Sequence, residues 1–87
     1  MEEMTTRICA FIREEILLDE QQALDENSPL LAGILDSLGI LHLVAFLEDE
    51  YSIVLDENDL VAGHFRTPAD IAQFVREKQG TRSDQPA

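Results

Sequence analysis

The most telling nine residues of this chain are Gly33-Ile34-Leu35-Asp36-Ser37-Leu38-Gly39-Ile40-Leu41. They set one serine hydroxyl among apolar side chains, at the start of a helical pattern that continues to Tyr51. Asp36 is the predicted N-cap of this helix, because a carboxylate just before the first turn accepts from its free N–H groups and suits the positive end of the dipole. The stretch therefore predicts a helix over residues 37–51 that begins at Ser37.

The sequence argues against a catalytic role for this serine. A hydrolytic serine needs a base within hydrogen-bond reach, and the chain has two histidines, His42 and His64. His42 lies about 140° around the helix from Ser37, at ~100° per residue, and nothing in the sequence favours His64. A helix start offers instead unpaired N–H groups and a positive dipole end, which suit a phosphate ester on the hydroxyl. Ser37 is predicted to be an attachment point.

No other feature points to catalysis or to a metal. Paired carboxylates and metal-ligand spacing are not apparent. The acidic run that starts at Asp56 fails as a calcium loop, because Leu60 and Val61 stand where an oxygen ligand and a glycine are needed. We therefore expect a non-catalytic protein without a metal site.

The chain is small and strongly acidic. Its 87 residues suffice for one domain, and 18 acidic against 6 basic residues give a formal net charge of −12. That charge repels nucleic acid and anionic membranes and steers the chain toward basic patches on proteins, although it also serves solubility alone. No apolar run approaches the ~20 residues of a membrane span, and no secretory signal is present. We expect a cytoplasmic monomer that does not insert into membranes.

Further helices are predicted on both sides of the central one. Apolar residues at helical spacing predict a first helix over residues 5–18, followed by a long loop over 19–35. A brief third helix is predicted from residue 56 to about 63. Thr67, as a cap, begins a fourth helix that Gly80 ends.

These elements predict an all-α four-helix bundle with a long loop between the first two helices and a short third helix. Residues 1–79 form the domain and residues 80–87 a disordered tail. Cys9 is expected to be a small buried hydrophobe. The predicted core positions on the three longer helices are Ile8, Phe11, Ile12, Ile16, Ile40, Leu43, Val44, Leu47, Tyr51, Ile71, Phe74 and Val75.

The central helix has more apolar surface than one core requires. Leu38, Leu41 and Ala45 lie on a face beside the core stripe. On the pattern alone, a heavily buried central helix explains this surface better than a docking face does.

Asp36-Ser37-Leu38 and the helical pattern that follows it resemble the Asp-Ser-Leu signature and second helix of acyl carrier proteins. Length, charge and helix order agree with that family over residues 5–79. The resemblance implies that Ser37, between Asp36 and Leu38, carries a covalent 4'-phosphopantetheine whose thiol holds cargo as a thioester. It implies as partners a phosphopantetheinyl transferase, an acyl- or aminoacyl-loading enzyme and downstream enzymes with basic docking patches. It also makes the central helix the docking surface, with the candidate contacts Leu38, Leu41, His42, Ala45, Glu48 and Asp49.

Two residues depart from the pattern of fatty-acid carriers, which usually have acids where this chain has Gly39 and His42. The sequence is more similar to free-standing carriers of polyketide or nonribosomal peptide pathways, and residues 63–65 also look like these. Aminoacyl and D-alanyl carriers remain alternatives. A further alternative is an unmodified acidic helical adaptor that binds a partner helix. His42 is either a docking residue or an exposed histidine without a role.

Overall fold

The structure is a computed structural model that describes residues 3–19, 21 and 23–83. Within these residues the chain forms three α-helices and no strand, so the predicted all-α fold is confirmed. We label the helices α1 (Glu3–Phe11), α2 (Ser37–Tyr51) and α3 (Pro68–Ser83). None of the helices described is long and apolar enough to cross a membrane.

The first helical segment ends differently from the prediction. After α1, the chain widens into a π-helical turn over Ile12–Ile16, in which Leu17 N donates to Ile12 O at 2.8 Å. Leu18 then adopts a left-handed conformation with φ 53°, which a leucine seldom takes because its Cβ approaches the backbone. The helical run therefore stops before Leu18.

The predicted third helix does not form as one element, so the described chain lacks a fourth α-helix. Two 3-10 turns, Glu57–Asp59 and Ala62–His64, take its place. The first is closed by reciprocal hydrogen bonds: Asp56 Oδ1 accepts from Asp59 N at 3.2 Å and Asp59 Oδ2 accepts from Asp56 N at 3.0 Å. Leu60 then leaves helical geometry, with φ −88° and ψ 54°, so the turn does not extend into a helix.

The start of α3 is as predicted, but its end is not. Thr67 Oγ1 accepts from Asp70 N at 3.1 Å, and Pro68 is the first helical residue. The helix continues through Gly80 to Ser83, because a glycine inside a helix costs only about 1 kcal/mol and does not by itself end it. Residues 84–87 of the predicted tail lie outside the described residues.

The core is built from all three helices and from the connections between them. The buried side chains include most of the predicted positions, while Phe11, Ile16, Ile40, Val44 and Tyr51 are partly buried against them. The buried apolar set is Ile8, Cys9, Ile12, Leu24, Leu30, Leu35, Leu43, Leu47, Ile53, Phe65, Ile71, Ala72, Phe74 and Val75.

The connection between the π-helical turn and α2 contains only turns and irregular backbone among its described residues, as predicted. Two backbone hydrogen bonds fasten it to the start of α3: Leu30 N donates to Arg66 O at 2.9 Å, and Ala69 N donates to Glu26 O at 3.1 Å. Leu30 is fully buried between them. This attachment holds the segment that leads into α2 against the bundle.

Candidate functional site

The first turn of α2 is organised by Asp36. Its backbone is extended, with φ −106° and ψ −174°, and its Oδ1 accepts from Gly39 N at 2.7 Å. Its carbonyl oxygen accepts from Ile40 N at 2.9 Å. The predicted cap is therefore present, and the amides of Ser37 and Leu38 are the ones that the helix itself leaves without an acceptor.

Ser37 is the first residue of α2 and is exposed to solvent. Its hydroxyl makes no recorded side-chain hydrogen bond among the described residues, so it is open to esterification. His64, the possible base, is engaged elsewhere: its Nδ1 lies 3.0 Å from the carbonyl oxygen of Asp59, and its ring stacks on Phe74 with centroids 4.1 Å apart. The site offers a free hydroxyl beside helix N–H groups, which fits a phosphate ester.

Gly39 has a structural role that the sequence analysis missed. It is buried, and a Cβ there would lie 3.3 Å from Asp36 Oδ1 and 3.3 Å from Ile16 Cγ2. The missing side chain lets the first turn of α2 lie against the π-helical turn. The sequence signal for this role was the glycine directly after Asp36-Ser37-Leu38. At this position the glycine allows close packing inside the protein and is not part of the outer surface.

One side of α2 carries a continuous exposed stripe. Leu38 is 61% exposed and Leu41 57% exposed, so the interpretation of α2 as a helix buried all round is wrong. Five exposed residues form this face, and we call them the α2 stripe: Leu38, Leu41, His42, Ala45 and Asp49. The intervals of three, one, three and four residues between them keep all five on one face about 100° wide.

The other two acids at the end of α2 make contacts within the protein. Glu48 is partly buried, and its Oε2 accepts from Leu55 N at 2.9 Å. Glu50 forms an ion pair with Arg7 on α1. Glu48 was among the predicted docking residues; the structure shows it partly buried and hydrogen-bonded to the backbone after the helix, so it is less exposed than the members of the α2 stripe.

A second polar cluster fastens the 3-10 turns to α3. Asp59 Oδ2 lies 3.0 Å from Lys78 Nζ. The backbone N–H of Asp56, followed by the Lys78 ammonium, holds the pKa of the Asp59 carboxyl below its ordinary value despite some desolvation. This cluster positions the segment next to α3 and does not contact the start of α2 in any recorded hydrogen bond of the described residues.

Cys9 is fully buried, and this burial raises the pKa of its thiol. Its expected place in the core is therefore confirmed. Among the described residues, no group of three or more His, Cys, Asp or Glu side chains is arranged to hold a metal ion.

The sequence is similar to those of known proteins. The chain matches the family model described as "Phosphopantetheine attachment site" over residues 6–75. It is 29% identical over 79 residues to the acyl carrier protein of Thermotoga maritima, with 91% of this chain and 95% of that protein covered. The chain therefore belongs to the phosphopantetheine-attachment family. It is a member of the acyl carrier protein group, and its cofactor is 4'-phosphopantetheine.

A solved structure gives a further comparison. A chain from the structure reported as "Crystal structure of FAD-dependent dehydrogenase" matches with a TM-score of 0.71 and 34% identity, and the match covers 77% of this chain and 96% of that one. The matched chain is shorter than 87 residues, because a match over part of this chain covers nearly all of that one. It is therefore similar in size to this carrier.

Proposed function

We propose that the protein is a free-standing carrier whose arm is attached to Ser37 and which serves a specialised biosynthetic pathway of polyketide or nonribosomal peptide type. The observation that carries the proposal is the exposed Ser37 hydroxyl at the first residue of α2, directly after the Asp36 cap. When bound, the arm supplies a terminal thiol that holds the cargo as a thioester. The chain itself performs no chemistry on that cargo.

The residues around Ser37 have separate tasks in this proposal. Asp36 stabilises the first helical turn by accepting from Gly39 N, which keeps Ser37 at an exposed helix start. The amides of Ser37 and Leu38, together with the helix dipole, favour the negative charge of the phosphate ester. The carrier then holds its cargo at a high effective concentration for any enzyme that docks.

The partners proposed are a phosphopantetheinyl transferase, a loading enzyme and downstream enzymes. A net charge of −12 raises their encounter rate when they carry basic patches. Cytoplasmic location and a monomeric state remain predictions from the sequence.

The structure separates the two departures from the fatty-acid pattern. Gly39 is internal, whereas His42 is exposed on the α2 stripe. The proposal of a specialised pathway therefore depends on His42 more than on Gly39. Aminoacyl or D-alanyl cargo remains the alternative, since both would use the same attachment site.

One client is proposed to be a flavin-dependent dehydrogenase that acts on the tethered cargo. This rests on the 34% identity to a chain of carrier size in a structure reported under the name of such an enzyme. Its action would move two hydrogens from the cargo to the flavin. Intact-mass analysis of the loaded carrier, before and after incubation with the producer's dehydrogenase, would show the loss of two hydrogens, and an unchanged mass would count against this client.

The attachment is tested with a broad-specificity transferase and fluorescent coenzyme A. We expect wild-type protein to gain one covalent arm, and Ser37→Ala to gain none while it keeps its helical circular dichroism. Ser52→Ala is the matched control, because Ser52 is also exposed and stands next to the opposite end of α2. It should label like wild type.

Labelling of Ser37→Ala, or failure to label wild type, would contradict the proposal. The adaptor alternative predicts that the Ser37→Ala variant keeps its biological activity in the producing organism. The carrier predicts that cargo loading there is abolished.

A further inference from the structure

A surface groove lies between the turn that leads into α2 and the start of α3. Its volume is about 350 Å³. The lining is mostly apolar, and its two polar side chains stand next to each other in the sequence, directly before α3. We call it the Arg66 groove, and the residues that line it are Pro29, Leu31, Ala32, Arg66 and Thr67.

Arg66 brings a positive charge to this groove. It is exposed, and its side chain makes no ion pair or hydrogen bond with any residue that the structure describes. Arg7 and Lys78, in contrast, are each paired with an acid. In a chain with 18 acidic and 6 basic residues, Arg66 is thus available to an anion that the fold itself does not supply.

Thr67 adds a hydrogen-bond donor beside Arg66. Its Oγ1 accepts from Asp70 N at 3.1 Å, which leaves the hydroxyl hydrogen without a recorded acceptor among the described residues. A guanidinium and a hydroxyl that both donate suit a carboxylate, which only accepts. The apolar lining, which comes from the turn before α2, suits a hydrocarbon chain. The groove is therefore complementary to a short carbon chain that ends in a carboxylate.

The groove lies within reach of an arm on Ser37. Leu30 N donates to Arg66 O at 2.9 Å, and Leu35 N donates to Leu30 O at 2.7 Å. Ser37 follows Leu35 by two residues. At about 3.6 Å per residue, this path limits the separation of the Ser37 and Arg66 backbones to about 17 Å. An extended phosphopantetheine arm spans a comparable distance, so tethered cargo can fold back onto the groove.

We propose that the Arg66 groove holds the free end of the tethered cargo, and that this cargo is an acyl group with a carboxylate at the end opposite the thioester, as in the half-thioester of a dicarboxylic acid. This names the class of cargo and rests on the proposed carrier function. The Arg66 guanidinium and the Thr67 hydroxyl donate to the carboxylate, and the methylene groups lie against Leu31. The contact is non-covalent and weak enough to open when a client enzyme docks, since the arginine is exposed.

The test compares two cargoes of equal chain length, succinyl and butyryl. The broad-specificity transferase moves the acylated arm from the corresponding acyl coenzyme A to the Ser37 hydroxyl and releases adenosine 3',5'-bisphosphate, so no loading enzyme is needed. The readout is the NMR spectrum of ¹⁵N-labelled protein. We expect the Arg66 Nε–H and the amides of Leu31 and Ala32 to shift with the succinyl arm relative to the butyryl arm. Identical spectra would overturn the proposal.

The second measurement is the pKa of the distal carboxyl of a ¹³C-labelled succinyl cargo. A neighbouring cation favours the charged form, so we expect this pKa to be lower in wild type than in Arg66→Gln by about half a unit or more. Arg66→Lys should keep part of the difference, because it retains the charge without the planar fork. Arg76→Gln is the matched control, since it removes the same charge from an exposed residue of α3, and its carboxyl pKa should stay near that of wild type.

Each failure has a distinct meaning. If wild type accepts no arm, the carrier function fails and the cargo proposal fails with it. If arms attach but Arg66→Gln and Arg76→Gln change the carboxyl pKa equally, only the net charge matters and the cargo proposal alone is overturned. If the pKa stays constant while Arg66→Gln slows a client enzyme, the arginine belongs to a partner contact, and the cargo proposal is again overturned.

Discussion

Gly39 acts through the space that its missing side chain leaves. A Cβ at this position would lie 3.3 Å from both Asp36 Oδ1 and Ile16 Cγ2, so one residue governs both the cap and the packing of α2 against the π-helical turn. The departure from the fatty-acid pattern at this position is thereby explained by packing.

Gly39→Glu should destabilise the fold by about 1–3 kcal/mol, because overpacking a buried position carries a penalty of that order. The added carboxylate would also lie near the Asp36 carboxylate, and like charges repel. The measurement is urea unfolding followed by circular dichroism. His42→Glu is the matched control, since it adds the same charge on the exposed side of α2 and should shift stability by less than ~0.5 kcal/mol.

Local interactions were predictable from the sequence at the residue scale, and distant ones were not. The Asp36 and Thr67 caps each join residues three apart, so a short motif contains all that is needed. Glu48 reaches Leu55 across a turn, and Glu50 pairs with Arg7 on another helix. No periodicity identifies such partners, and Glu48 was therefore placed among the docking contacts.

At the scale of elements, helix starts were predicted better than helix ends. The start of α2 at Ser37 and that of α3 at Pro68 follow from caps. The π-helical turn after α1 keeps the same apolar residues in the core as an α-helix would, so hydrophobic spacing could not distinguish the two. Gly80 failed as a stop because glycine only weakens a helix.

Asp59 joins the 3-10 turns to α3 through Lys78, and its lowered pKa makes that link depend on pH. A carboxyl with a depressed folded-state pKa stabilises the fold above its unfolded pKa and loses this effect as pH falls through the folded value. Asp59→Asn should therefore lower Tm at pH 7 by about 1–5 °C, as expected for a partly exposed ion pair in a domain of this size. The difference from wild type should shrink below about pH 4.

Thermal unfolding from pH 7 to pH 3 provides the measurement. Glu57→Gln, in the same 3-10 turn, removes one negative charge from an exposed side chain and should lack this pH-dependent loss. A difference between Asp59→Asn and wild type that stays constant down to pH 3 would argue against the link.

At the scale of the whole molecule, the charge of −12 in 87 residues makes self-repulsion a general property of the fold. Repulsion between exposed acids weakens when salt shortens the Debye length from ~30 Å at 0.01 M to ~3 Å at 1 M. The folded state should therefore become more stable as the salt concentration rises.

We expect Tm to rise by several degrees between 0.01 M and 1 M NaCl, measured by circular dichroism at pH 7. The double variant Glu14→Gln/Glu15→Gln removes two exposed acids of the π-helical turn and should show a smaller rise. A Tm that falls with salt would mean that attractive ion pairs, such as the one between Arg7 and Glu50, outweigh the repulsion.

The burial of Cys9, the one cysteine encoded in the chain, has a practical outcome for maturation. A maleimide dye added to the folded protein finds the gene-encoded sulfhydryl shielded, so the sulfur it alkylates was added after translation. The molar ratio of dye to polypeptide then measures the matured fraction in a preparation, and acylation lowers that ratio by masking the added sulfhydryl. The buried Cys9 thiol therefore stays unreactive, while the thiol added after translation reacts.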